Sequence, residues 1–149
     1  MNLLIKFIGE KNKTGISLQS ISKGNRFELS FLKDKHANIR DDLNSDDLIS
    51  GGEFKASTGG SYITGEYKFG DTFEFLTFAK HLFATNKIPK MKDNDEVFYS
   101  RCIPIPFDNP IPEEEQDPFI LEKITIKKEM SGLLNWSLEG LDRLFENNK

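Results

Sequence analysis

Cysteine and histidine are both scarce in this sequence. Cys102 is the single cysteine among 149 residues, and His36 and His81 are the two histidines. One thiol cannot form an internal disulfide, and the three side chains do not have the spacing of a zinc site. The composition therefore excludes a disulfide scaffold and a zinc-finger domain, and it favours a reducing, cytoplasmic compartment.

Long hydrophobic runs are also missing. No stretch approaches the roughly 20 apolar residues that cross a bilayer, and no basic-then-apolar leader stands at the N-terminus. We expect no membrane partner. The net charge of −4 argues against a uniformly basic surface, although a local basic loop is enough to contact nucleic acid. The length suits one domain with a sizeable core.

A phosphate-binding loop of the Gly-Lys-Ser/Thr type is absent as well. None of the 11 glycines is followed by lysine. Such a loop supplies backbone N–H groups and one lysine to the phosphates of a nucleotide. This polypeptide therefore lacks the usual cradle for a triphosphate.

Polar side chains stand at the ends of two predicted strands. Residues 35–43 have a strand pattern that ends in Asp41 and Asp42, and a second strand pattern over residues 82–85, three of them apolar, precedes Asn86. A carboxylate at a strand end can meet nucleotide-bound magnesium, and an amide can orient the attacking water. The alternatives are a helix N-cap for the aspartates and a turn residue before Pro89 for Asn86.

Arg101 precedes a third predicted strand, residues 103–107. A planar cation at this point could stabilise transition-state charge on a phosphoryl group. The alternative is a surface ion pair, for which the acidic candidates are Asp93, Asp95 and Glu96.

Glycines and β-favouring residues alternate over residues 51–69, which predicts a hairpin with exposed turns. Near its end, Lys68 stands between Tyr67 and Phe69. The lysine could contact a phosphate while one of the rings stacks on a sugar or base. Taken alone, the pattern equally describes a strand with its charge in solvent.

The rest of the chain gives a domain outline. Residues 2–8 and 26–32 have helical spacing, the latter with Phe27, Phe31 and Leu32 on one face, and residues 130–145 predict an amphipathic helix. Four phenylalanines are expected to fill the core: Phe73, Phe75, Phe78 and Phe83. We predict a core over residues 1–107, an acidic, proline-containing connector over 108–118 and a helical segment over 119–149.

In this order the motifs resemble those of the superfamily-three helicases, as found in the primase-helicases of phages, archaeal viruses and plasmids. Residues 35–43 resemble the Walker B strand, 54–69 the B-prime motif with its hairpin, Asn86 the motif C amide and Arg101 the arginine finger. Residues 133–141 resemble the helix after the motor core. Ser61 departs from the pattern, because the family usually has aspartate after the glycine pair.

The resemblance implies an AAA+-like P-loop core, a three-layer α/β fold with a central, mostly parallel sheet, here without the Walker A strand and loop. It implies a C-terminal piece of a DNA replication helicase that uses ATP and Mg²⁺. Asp41, Asp42, Asn86 and Arg101 would be catalytic, with Asp42 facing the magnesium, and Lys68, Tyr67 and Phe69 would bind DNA.

The implied partners are single-stranded DNA, an N-terminal primase and Walker A portion, and further copies in a ring, expected to be a hexamer. The chain alone is expected to be inactive. Two other functions stay open. One is a non-catalytic remnant that oligomerises and binds single-stranded DNA, and the other is a metal-dependent nuclease built on Asp41, Asp42 and Glu66.

Overall fold

The structure is a computed structural model that describes residues 1–41, 43, 51–90 and 96–147. The helices in these ranges are α1 (Asn2–Ile8), α2 (Leu18–Ser22), α3 (Arg26–Leu29), α4 (Gly52–Thr58), α5 (Glu96–Tyr99), α6 (Ile120–Ile124) and α7 (Lys127–Asn147). The strands are β1 (Lys13–Thr14), β2 (Ala37–Arg40), β3 (Tyr62–Glu66), β4 (Thr72–Leu76) and β5 (Lys80–Phe83). Short 3-10 turns cover Glu10–Asn12, Ser30–Leu32 and Glu113–Glu115.

Three strands form a parallel sheet in the order β1-β2-β5. Strand β2 is in the middle: Ala37 pairs with Lys13 on one side and with Lys80 on the other. Its first three residues are buried, as expected of a central parallel strand. The prediction of a mixed α/β fold with a mostly parallel sheet and a C-terminal helix is confirmed.

Strands β3 and β4 form a separate antiparallel hairpin, with Tyr62 opposite Leu76 and Glu66 opposite Thr72. In chain order this hairpin is inserted between β2 and β5, which are neighbours in the parallel sheet. Only three residues, 77–79, connect β4 to β5. Within this link Thr77 and Ala79 are buried, and the Ala79 N–H donates to Thr77 Oγ1 at 3.3 Å.

One apolar core holds these elements together. Helices α2 and α3 bury Leu18, Ile21 and Leu29, which join the apolar residues that follow β1 and β2 and the inward face of the hairpin. The Phe54 ring of α4 packs 4.7 Å from the Phe98 ring of α5, measured between centroids. Burial of large side chains of this kind contributes about 1.5–3 kcal/mol each.

The described chain divides into two compact units. The first contains residues 8–106 together with Met1, and the second contains Asn2–Phe7 and the chain from Phe107 onward. The second unit includes α7, which confirms the predicted C-terminal helix. In the part of the chain that the structure describes, no helix is both long and apolar enough to cross a bilayer.

Two predicted strands are wrong. Gly52–Thr58 is helix α4 rather than the first arm of a hairpin, because Phe54 and Ser57, three residues apart, share one buried helical face. Residues 103–107 belong to no strand. Pro104 and Pro106 within them cannot donate to a ladder, which leaves this segment without regular pairing.

One of the four phenylalanines expected in the core is exposed. Phe75 is buried as predicted, Phe73 and Phe83 are partly buried against the core, and Phe78 is 53% exposed.

Helical spacing placed Phe27, Phe31 and Leu32 on one face. In the structure Leu32 is buried whereas Phe27 and Phe31 are exposed, so the three residues do not share a buried face.

Candidate functional site

The carboxyl ends of β2 and β5 lie side by side at one edge of the parallel sheet. Arg40, the last residue of β2, pairs with Phe83 at the end of β5. The next residue, Ala84, continues this contact: its N–H donates to the Arg40 carbonyl at 3.1 Å, and its carbonyl accepts from the Leu43 N–H at 3.0 Å. The two chains therefore leave the sheet together.

Asp41 and Asn86 are at this edge. Asp41 directly follows β2, and Asn86 comes three residues after β5. Both are exposed to solvent. Adjacent parallel strands that end together are a common position for ligand-binding loops in α/β proteins. Asp42, for which we predicted a magnesium-facing role, lies outside the described residues.

A buried polar cluster ties the same three strands together. Asn38, in the middle of β2, is 0% exposed. Its Oδ1 accepts from the Ile16 N–H at 2.7 Å, and its Nδ2 donates to the Ile16 carbonyl at 3.0 Å. The same Nδ2 is 3.2 Å from His81 Nδ1 on β5. One amide side chain thus bonds the segment after β1 to β5.

His81 is held neutral by this arrangement. An amide nitrogen can only donate, so Nδ1 accepts and the ring proton is on Nε2. Nε2 is buried and has no hydrogen-bond partner among the described residues. Burial is the larger cause and the nearby charge of Lys80 the smaller one, and together they lower the pKa of His81 to about 4. The strand predicted over residues 82–85 begins earlier in the structure, so His81 is a member of β5.

Local sequence patterns do not predict this cluster. The available signal was an asparagine between Ala37 and Ile39 in an apolar strand. A buried amide requires hydrogen-bond partners, so its position indicates a polar contact inside the sheet. The pairing with His81 depends on strand register, which links residues 43 positions apart and has no local signature.

Arg101 does not stand at the start of a strand. It follows α5, and its Nη1 donates to Thr58 Oγ1 at 3.1 Å at the end of α4. The guanidinium lies against Gly59, where an added Cβ would come within 3.3 Å of Nη1. A cation at a helix carboxyl end is favourable. Among the described residues Arg101 forms no ion pair; Asp93 and Asp95 lie outside them.

The tip of the hairpin, residues 67–71, is exposed throughout. Tyr67, Lys68 and Phe69 are in this turn rather than on a strand. The Gly70 N–H donates to the Tyr67 carbonyl at 2.9 Å, which closes the turn. Lys68 Nζ is 5.2 Å from the centre of the Phe69 ring.

Phe69 itself is in an unfavourable state. Its side chain is 96% exposed, and its φ of 63° is in the left-handed region that favours glycine. An exposed aromatic ring in a strained turn contributes little to the stability of the folded protein. Such residues concentrate at functional sites, so the hairpin tip is the candidate for contact with a ligand.

Phe69→Gly should leave the free energy of unfolding unchanged or raise it by up to about 1.5 kcal/mol. Release from the left-handed conformation is worth about 1–2 kcal/mol, and the extra chain entropy of glycine costs roughly 0.5–1 kcal/mol. Urea denaturation measures the difference. Phe69→Ala is the matched control, because alanine keeps the Cβ and gains nothing. A loss above about 1 kcal/mol in Phe69→Gly would contradict the strain.

Those residues of the described chain that are able to bind a metal or act as a nucleophile are not arranged as a metal site. No group of three or more His, Cys, Asp or Glu side chains in the described ranges is arranged to hold a metal ion. Glu66 lies on β3, paired with Thr72. Cys102 is half-buried, and burial raises the pKa of its thiol, so it has no sign of an activated nucleophile.

Residues 2–101 match a protein family of unknown function (DUF5906). The chain belongs to this family. The matching region begins with α1 and ends at Arg101, so it contains both strand ends and the whole hairpin. All the site residues predicted from the sequence therefore fall inside the family region, whereas α6 and α7 fall outside it. No curated protein matches the sequence.

Proposed function

We propose that this chain is part of a superfamily-three helicase motor, of the kind found in primase-helicases of phages, archaeal viruses and plasmids. One observation carries the proposal. Between two adjacent parallel strands that end just before Asp41 and near Asn86, the chain inserts a hairpin whose tip presents Lys68 and two aromatic rings. An acid and an amide at one sheet edge suit nucleotide chemistry, and a basic-aromatic tip suits nucleic acid.

The free edge of β5 supports the finer fold, an AAA+-like P-loop core. The Lys80 and Ala84 N–H groups bond to carbonyls of the β2 chain, so the main-chain groups of His81 and Phe83 face the opposite edge. That edge has no strand partner among the described residues. We propose that a further strand, which carries the phosphate loop, pairs there.

The residues of this chain fit ATP and Mg²⁺ in part. Asp41, with Asp42 next to it in sequence, can face a hydrated magnesium, and Asn86 can hold a water. The cradle for the phosphates is missing from this sequence. We therefore propose no hydrolysis by this chain alone. Arg101 would act as a finger on the nucleotide of a neighbouring subunit in a ring, after release of its bond to Thr58.

The DNA contact of the proposed motor is the hairpin tip. Lys68→Ala should weaken the binding of oligo(dT) and reduce the slope of log affinity against log salt by about 0.7, the contribution of one phosphate contact on a single strand. Fluorescence anisotropy across a salt series at low ionic strength measures both. Lys128→Ala, an exposed lysine on α7, is the matched control and should change neither.

Two outcomes would count against the proposal. If Lys68→Ala binds oligo(dT) with unchanged affinity and salt slope, the hairpin is not a nucleic-acid contact. If the wild-type chain does not bind oligo(dT) at low salt, the DNA-binding part of the function is wrong. Circular dichroism should show the same fold for both variants.

A non-catalytic module is the alternative. The same hairpin tip favours it, because the tip needs no nucleotide to contact a single strand. Such a module would oligomerise and bind single-stranded DNA without ATP turnover. The two functions differ in the polypeptide with which this chain assembles, because only the motor requires a Gly-Lys-Ser/Thr loop from another segment.

A further inference from the structure

Helix α7 carries an apolar stripe that is open to solvent. The side chains of the stripe are between 42% and 69% exposed, and none of the 21 residues of α7 is buried. They are Leu134, Leu138, Leu141 and Phe145, here named the α7 stripe, and at 3.6 residues per turn they lie within an arc of about 60°. An amphipathic helix obtains most of its stability from burial of its apolar face. The α7 stripe therefore requires a covering surface.

The spacing of the α7 stripe is that of two helices packed side by side. Its members follow one another at intervals of four, three and four residues, the alternation used by coiled-coil helices. Partial burial within α7 is confined to Met130, Leu133 and Gly140, which lie on one flank of the stripe. The stripe itself and its opposite flank are exposed, so both can contact a second helix.

This exposed flank is polar, and its charges are complementary to those of a second copy. Lys128, Asn135 and Asp142 follow one another at seven-residue intervals, so they form one row beside the stripe. If two copies of α7 run antiparallel with their Asn135 side chains adjacent, the Lys128 of each copy lies beside the Asp142 of the other. The same alignment packs Leu134 of each copy against Leu138 of the other, so apolar and charged contacts agree on one register.

A parallel pair does not give this match. In a parallel coiled coil the row of Lys128, Asn135 and Asp142 lies beside uncharged residues of the other copy, namely Met130, Ser137 and Leu144. The other charged residues between positions 129 and 143 do not alter the comparison, because they lie on the face opposite the stripe: Glu129, Glu139 and Arg143. Charge complementarity therefore favours the antiparallel arrangement.

The helix macrodipole favours the same arrangement. Lys127 and Lys128 begin α7, whereas its last turn contains Glu146 and no basic residue. Within a single helix this order is unfavourable, since anions are stabilised at the amino end and cations at the carboxyl end; Glu129 is the residue of the first turn that follows the rule. In an antiparallel pair the lysines of each copy lie beside the carboxyl end of the other, where positive charge is favourable.

We infer that α7 binds a second copy of this chain as an antiparallel helix pair. Burial of the two α7 stripes supplies the attraction, and the two Lys128–Asp142 ion pairs set the orientation. Such a pair has two-fold symmetry and is closed, so it joins two chains and differs from the head-to-tail contact of a ring. The inference does not depend on the proposed function, because α7 lies outside the family region 2–101.

Sedimentation equilibrium of the full chain tests the pair. The wild type should dimerise reversibly with a dissociation constant on the order of 100 μM, because the interface is small. Leu134→Gln/Leu138→Gln should stay monomeric up to about 1 mM. Trp136→Gln is the matched control and should dimerise as the wild type does, since Trp136 is 65% exposed on the opposite face of α7. A wild type that is monomeric at about 1 mM, or equal dimerisation by the double leucine variant, overturns the inference.

Charge exchange tests the orientation. Lys128→Glu and Asp142→Lys should each weaken dimerisation roughly two- to tenfold, because each replaces both attractive pairs by repulsive ones. The combined variant Lys128→Glu/Asp142→Lys should recover the affinity of the wild type, and Arg143→Glu on the opposite face should not change it. Failure of the combined variant to recover overturns the antiparallel pair. Lys128→Ala removes the attraction without adding repulsion, so its effect on dimerisation is smaller, and it leaves the hairpin tip unaltered.

A second measurement reports the orientation without loss of binding. In a Cys102→Ala background, spin labels are attached through Asn135→Cys or Asp142→Cys, and electron paramagnetic resonance measures the distance between the two labels of a dimer. The distance at position 142 should exceed that at position 135 by about 10 Å, because antiparallel copies displace position 142 along the helix axis by about 1.5 Å per residue from its counterpart. Equal distances at the two positions overturn the antiparallel pair.

Discussion

Acidification from pH 7 to pH 4 should lower the free energy of unfolding by roughly 3 kcal/mol through His81 alone. Burial, and to a smaller extent Lys80, lowers its folded pKa to about 4 from an ordinary value of 6.5. Between these values the unfolded chain binds a proton that the folded chain does not. Stability from this group is therefore complete above pH 6.5, is lost as the pH falls towards 4, and changes no further below.

Urea unfolding at several pH values, followed by circular dichroism, measures this loss. His81→Phe should flatten the dependence between pH 6.5 and 4, because a ring of similar shape remains between Phe54 and Phe83 but carries no titrating nitrogen. His36→Gln is the control, and it should keep the acid sensitivity of the wild type. An equal slope in His81→Phe and wild type would show that other groups cause the acid loss.

Asn38→Ala is the other substitution for which we expect a large effect, a destabilisation of roughly 3–5 kcal/mol. The N–H and carbonyl of Ile16 both lose their side-chain partner, and a buried group left unpaired costs about 1–3 kcal/mol. A small cavity adds to this. Since total stabilities are about 5–15 kcal/mol, much of the folded population could be lost.

Asn25→Ala provides the comparison for Asn38→Ala. Asn25 is an exposed helix cap whose Oδ1 accepts from the Glu28 N–H, and its loss should cost about 0.5–2 kcal/mol. Similar costs for the two alanine variants would contradict a structural role for the buried amide. A double-mutant cycle with His81→Phe should give a coupling of about 0.5–3 kcal/mol, because the two side chains share a hydrogen bond.

Local sequence patterns predicted some elements well. The strand before Asp41 and the helix over residues 130–145 are present, because the apolar pattern that predicts each element lies within that element. The segment before Asn86 is the end of a strand that begins earlier than predicted. In these cases a few adjacent residues contain the whole pattern of the buried face, so the sequence alone predicts the element.

Other elements depended on contacts that sequence patterns do not contain. Glycines around residues 51–60 suggested a hairpin, yet Phe54 and Ser57 gain burial as one face of a helix. Residues 103–107 have a strand pattern, but a strand requires a partner, and none pairs with them in the described chain. The exposure of Phe27 and Phe31 depends on how α3 lies against β3, which its own spacing cannot fix.

The short link between β4 and β5 determines how the hairpin is attached to the parallel sheet. Its five-residue arms are about 17 Å long at the usual rise per residue, and their ladder makes them stiff along the strand direction. Because the three-residue link is short and partly buried, we expect a displacement at the hairpin base to move the start of β5 with it. A force applied at Phe69 would then reach the parallel sheet through this link.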